Sequence, residues 1–235
     1  MNGKDTVRIG SQIESSKGFK IYQDISHLER SYAILVLNYA DIEGRLIWFE
    51  LKGNAIRLVG RGHMDKMDDF WLQAQRHLHN YLASATALRD HMRRLSNAET
   101  DNEFKAKYRQ KIEVIAKSPL ASVVHDLRSY VQHNDVTPVG AIMSTKSGNA
   151  NETYISLTCS ELLNWSRWKK SSRDYLLGAG KSLRLRDVLG PYQTMIAELS
   201  DWFLSELCRI HRQELDEFIG LHVQLLRLLP KGVRQ

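Results

Sequence analysis

Residues 65–96 read DKMDDFWLQAQRHLHNYLASATALRDHMRRLS. Met67, Phe70, Trp71, Ala74, Leu78, Tyr81, Leu82, Ala85, Leu88, Met92 and Leu95 recur at three- and four-residue steps, which puts them on one face of an α-helix. Asp65, Asp68 and Asp69 open the segment and Arg89, Arg93 and Arg94 close it. That is the charge order a helix dipole favours. The segment predicts a helix of about eight turns with one face in a core or a helix–helix interface.

The same periodicity extends to both sides. Upstream, Leu28, Tyr32, Leu35, Val36, Tyr39, Ile42, Leu46 and Phe49 predict a helix that starts near Asp24 or Ser26 and stops near Gly53. Gly44 lies inside it, where a missing side chain lets another helix approach closely. Residues 1–20 are polar, with Gly3, Gly10 and Gly18, and are expected to form a flexible arm. Residues 53–64 are a Gly-rich connection. Its Gly60-Arg61-Gly62 has neither the spacing of a phosphate loop nor a strand before it.

Downstream, a basic third helix is expected from Asn102 to Lys117, carrying Lys105, Lys107, Arg109 and Lys111. Pro119 suits the first turn of a fourth, with Leu120, Val123, Val124, Leu127 and Val131 at helical spacing and an end near His133, before Pro138. The period then changes. Residues 141–145 and 153–158 are β-prone and flank Gly148-Asn149, so a hairpin is predicted. A short helix to about Lys170, a loop with Gly178 and Gly180, and one long helix from Tyr192 to Leu225 complete the chain. The fold class is all-α with a small β-hairpin insertion and additional C-terminal helices.

The 235 residues are 43% hydrophobic and 26% charged, the balance of a globular protein rather than a disordered or fibrous one. The formal charge of +6 is modest. Two cysteines, Cys159 and Cys208, are too few for a disulfide scaffold and are expected as buried thiols. No stretch has the length of a signal-peptide core or a bilayer span, so a cytoplasmic protein with no membrane association is expected. Cys208, His211 and Glu214 step by three along the last helix but sit in a core-like pattern, so no metal and no cofactor is assigned.

His125-Asp-Leu-Arg-Ser-Tyr-Val-Gln-His133 contains Arg-x4-His, Arg128 with His133. The spacing alone is weak, since chance gives about two Arg-x(4–6)-His pairs in a chain of this composition. A second pair, Arg57 and His63, falls in the Gly-rich connection. Arg128 and His133 sit at the end of a helix in a chain of long helices. There the sequence resembles the HEPN superfamily (higher eukaryotes and prokaryotes nucleotide-binding), helical bundles whose motif is Arg-x(4–6)-His with a polar residue after the arginine, here Ser129. The resemblance implies a HEPN-like bundle over residues 21–140, with residues 141–235, the hairpin and C-terminal helices, packed on it. It further implies a metal-independent endoribonuclease, a toxin or antiphage defence effector. RNA would be its substrate, a homodimer its working form, and an antitoxin or regulatory protein a possible partner. Arg128 would stabilise phosphate and transition state, and His133 would be general base or acid, supported by Ser129 and His125. Five residues apart on a continuous helix, Arg128 and His133 point about 140° from each other. They converge only if the helix ends between them or a second copy completes the site. The alternative is a non-catalytic helical module that binds a protein or nucleic acid.

Trp165-Ser-Arg-Trp-Lys-Lys interleaves aromatic and basic residues, as nucleic-acid surfaces do. Equally, Trp165 and Trp168 fit a core-facing helical stripe, with the lysines at a helix end that favours cations. Arg89, Arg93, Arg94, Lys105, Arg167, Lys169 and Lys170 are the candidate nucleic-acid contacts.

Overall fold

The computed structural model describes residues 3–51, 53–59, 64–134, 137–144 and 152–229. Two long antiparallel helices, α2 (Lys17–Glu50) and α4 (Met64–Ala98), form the spine, joined through the short α3 (Asn54–Val59). The stripe read at 65–96 is the buried face of α4: Phe70, Ala74, Leu78, Tyr81, Leu88 and Met92 are all in the core. It meets Leu28, Leu35, Ile42 and Phe49, the seven-residue stripe on α2. Polar contacts hold the pair in register: Ser31 Oγ lies 2.7 Å from His91 Nδ1, and Asp41 lies 3.5 Å from His77 Nδ1.

α5 (Asn102–Ala116) and α6 (Pro119–His133) start where the sequence places their caps. The Asp101 carboxylate accepts from the Phe104 N–H at 2.9 Å, and Ser118 Oγ accepts from the Ala121 N–H at 3.4 Å. Strands β1 (Val139–Ser144) and β2 (Glu152–Thr158) pair antiparallel, with Ala141 opposite Ile155. The expected turn at Gly148-Asn149 lies outside the described residues, as do Gly60 to His63. A third strand, β3 (Ser182–Arg184), extends the sheet on the far side of β2, with Leu183 opposite Leu157. β2 buries Ile155 and Leu157 against α2 and α9 (Leu185–Ile210).

Several expectations are corrected. α2 starts at Lys17, capped by Ser16, rather than near Asp24 or Ser26. Residues 3–15 are not a flexible arm but helix α1 (Gly3–Ser15), whose Ile9 and Ile13 pack on Phe218 in a small second cluster. Only two apolar side chains hold α1, too few to stand out among polar neighbours. The long C-terminal helix is two helices, α9 and α10 (Arg212–Leu228), broken at His211, whose Nε2 lies 2.6 Å from the carboxylate of Glu99, the residue just after α4. Cys159 is buried but Cys208 is exposed. The helix expected to end near Lys170 ends as the one-turn α7 (Cys159–Leu162); Lys170 instead begins α8 (Lys170–Gly178). Trp165 and Trp168 nevertheless enter the core from the turn between them. There they contact Tyr130, and Trp168 Nε1 donates to the Leu162 carbonyl at 2.6 Å. One hydrophobic core joins residues on both sides of position 140, and that boundary falls inside β1.

α2 crosses α10 at Gly18, where an added Cβ would lie 2.0 Å from the Glu214 carbonyl oxygen and 2.7 Å from Phe218 Cβ. Gly10 of α1 has nothing within 4 Å. Gly18→Ala is therefore expected to lower unfolding free energy by about 2 kcal/mol or more by forcing backbones apart. Gly10→Ala should raise it by about 0.5–1 kcal/mol through helix propensity. Urea unfolding of both variants checks the opposite signs.

Candidate functional site

α6 carries the motif, and it runs unbroken through it. Asn134 closes the helix only after His133, its N–H bonding the Tyr130 carbonyl at 2.9 Å. Arg128 and His133 therefore diverge by about 140° within one chain. His133 is exposed. Arg128 is half-buried, and its Nε is buried with no hydrogen-bond partner among the described residues. Ser129 lies one turn beyond His125, and His133 one turn beyond Ser129, so these three share a stripe that Arg128 leaves.

The structure instead brings His125 together with two of the basic candidates. His125 and Ser122 of α6, Arg89 of α4, Lys169 before α8, and Tyr192 and Ile196 of α9 line a cavity of about 190 Å³. Burial raises the Tyr192 hydroxyl pKa, and the nearby Arg89 works against that rise. Among the described residues, Arg89 makes no ion pair. A larger groove of about 550 Å³ adjoins it through Ile115 and Leu199 and carries Lys107 and Lys111.

Asp126 organises this cavity, although the motif reading gave it no role. It is 4% exposed, an acid inside the apolar stripe of Val123, Leu127 and Tyr130. That misplacement was the signal available in the sequence. Its Oδ2 accepts from the Lys169 N–H at 3.0 Å and from Ser172 Oγ at 2.7 Å. Its Oδ1 lies 3.7 Å from Lys169 Nζ and 3.6 Å from His125 Nδ1. The latter is an electrostatic contact, too long for a hydrogen bond. Burial pushes the Asp126 carboxyl up. The His125 ring, the Ser172 hydroxyl, the Lys169 N–H and the Lys169 ammonium outweigh it and hold the pKa below its ordinary value. Asp126 thus caps α8 from another helix. It offsets two lysines at a helix N-terminus, the end where cations are unfavourable, not the favourable end expected from the sequence.

The remaining basic candidates lie elsewhere or in the open. Arg93 pairs with Asp90 at 3.2 Å and Arg94 with Asp24 at 3.5 Å. Lys105 is half-buried on α5, while Arg167 and Lys170 are exposed beside the cavity's Lys169. Of the Cys208, His211 and Glu214 series, His211 is engaged with Glu99 and Cys208 is exposed. Among the described residues no group of three or more His, Cys, Asp or Glu is placed to hold a metal ion. No described helix is long and apolar enough to cross a membrane. Comparison with family models, curated proteins and solved structures returns no match.

Because the Asp126 pKa is lowered on folding, its stabilisation is full above the unfolded carboxylate value of about 4 and disappears as pH falls through the folded value. Asp126→Ala should cost about 2 kcal/mol at neutral pH. The gap to wild type should narrow when unfolding is measured below about pH 4.

Proposed function

We propose that the chain is a metal-independent endoribonuclease of the HEPN type, with its phosphate-handling centre in the α6–α8 cavity. One observation carries this reading: His125, with the buried Asp126 behind it, lines a cavity that Arg89 and Lys169 also line. Cleavage of RNA by its own 2′-hydroxyl needs a base for that proton, an acid for the leaving 5′-oxygen and cations for the charge on phosphorus. His125 turns Nδ1 toward Asp126. At 3.6 Å the carboxylate attracts a proton on Nδ1 without hydrogen-bonding it, and that tautomer leaves Nε2 as the basic nitrogen. Arg89 offers a planar fork for two phosphate oxygens, and the mobile Lys169 ammonium both adds charge and donates the proton to the leaving 5′-oxygen. Arg167 and Lys170, exposed nearby, extend the surface along an RNA backbone.

A second reading is a helical module that binds RNA or protein without cutting. It is favoured by the divergence of Arg128 and His133 on unbroken α6, which leaves the motif incomplete in one chain.

The two readings separate in one assay: purified protein, single-stranded RNA and excess EDTA. The nuclease reading expects cleavage that His125→Ala lowers by about 100-fold or more. Arg89→Ala and Lys169→Ala should weaken cleavage together with salt-sensitive binding. Cleavage unchanged in His125→Ala but lost in Arg128→Ala and His133→Ala moves the chemistry to the Arg-x4-His pair. Salt-sensitive binding with no cleavage leaves the binding module.

A further inference from the structure

α2 has a second apolar face, opposite its core face. Leu28, Leu35, Ile42 and Phe49 are buried at seven-residue steps. On the other side Ala33, Leu37, Ala40, Gly44, Ile47 and Leu51 follow one another at alternating four- and three-residue steps, all exposed. Leu37 is 66% exposed and Leu51 55%. More than half of the exposed large hydrophobic residues among those described lie between Ile34 and Leu72. The alternating step is that of a helix seam built to meet another helix. Gly44 sits in the middle of it. A Cβ there would touch nothing within 4 Å, so nothing in the described chain accounts for a residue that weakens the helix.

We propose that this face is a self-association surface, on which a second copy of the chain packs its own α2 antiparallel across a two-fold axis level with Ile42. The commitment to a second copy comes from the register, because the seam is complementary to its own reverse. Residue numbers that sum to 84 lie at one height, so Leu37 meets Ile47, Ala40 meets Gly44 and Ala33 meets Leu51. The two smallest residues coincide at the centre, where the backbones come closest. Charge agrees with that register. Arg45 makes no ion pair among the described residues; its guanidinium lies over the Phe70 ring, 5.7 Å from the centroid, and its Nε is buried without a hydrogen-bond partner. Asp41, one turn before it, is exposed, and among the described residues its carboxylate is paired only with His77, at 3.5 Å. The two-fold brings Asp41 of the second copy within about 3 Å in height of Arg45, on the same flank. It likewise sets the exposed Trp48 beside Ile34 of the second copy, over a hollow of about 480 Å³ bounded by Gly44, Arg45, Phe70 and His77. In this arrangement α2 faces α2, and the two His125 cavities do not share the axis. The inference is independent of the proposed function.

Sedimentation of the full chain at micromolar concentration tests it. Wild type is expected to be a dimer. Gly44→Leu and Leu37→Glu, both at open positions that leave the fold intact by circular dichroism, should each raise the dissociation constant at least about tenfold. Asp41→Arg and Arg45→Asp should each weaken the dimer, and the double exchange should restore it. A monomeric wild type overturns the proposal. So does a dimer that Gly44→Leu and Leu37→Glu leave intact, or a double exchange no tighter than its single variants.

Discussion

A carboxylate removed from water at Asp126 constrains the centre of this protein. Burying such a group costs several kcal/mol unless its lone pairs are filled. The Lys169 N–H and the Ser172 hydroxyl at the start of α8 fill Oδ2, and Oδ1 faces the Lys169 ammonium and the His125 ring. The first turn of α8 must therefore sit against α6. The preceding turn is drawn down with it, so that Trp165 and Trp168 close over Tyr130. The cavity beside His125 is the space left between this junction and α9. Its chemistry and its packing share one cause: a negative charge inside a basic protein that fixes where positive groups can stand.

The parts of the fold legible from sequence are those whose partners are periodic. The stripes of α2 and α4, and Pro119 at the start of α6, each act within one helix, so local spacing reveals them. The parts that were not legible depend on distant contacts. The apolar pattern runs on through His211, yet the helix breaks there because Glu99, more than a hundred residues away, holds the ring. β3 is three residues long and exists as the third lane of a sheet begun by β1 and β2. α1 is held by Phe218 at the far end of the chain. Lys169 and Lys170 have the composition of a helix end, and composition does not say which end.

The same distinction runs through the candidate site. Arg-x4-His draws the eye as a spacing, but spacing on an unbroken helix separates its two members, and α6 is unbroken. His125 and Asp126, adjacent in sequence, would ordinarily face about 100° apart. They cooperate because Asp126 reaches from the buried side to the rim of the cavity that His125 lines. Arg89 arrives from a helix end that sequence marks only as basic, and Arg93 and Arg94 beside it pair with Asp90 and Asp24 instead. One cation of that cluster of three faces the cavity, a selection made by helix rotation.

α4 separates the two surfaces argued for above. One side of it meets α2 through Tyr81, His77 and His91. From its other side Arg89 reaches the cavity. A cavity whose lining comes wholly from one chain needs no second copy to complete it. Conversely, the open seam with Gly44 at its centre contributes nothing to that cavity, so its composition requires another explanation. Ala40 and Gly44, on the outside of a helix whose opposite side is packed with Leu35, Ile42 and Phe49, leave its backbone open to close approach. Close approach has meaning only with something to approach, and the reverse of the seam itself has the matching shape.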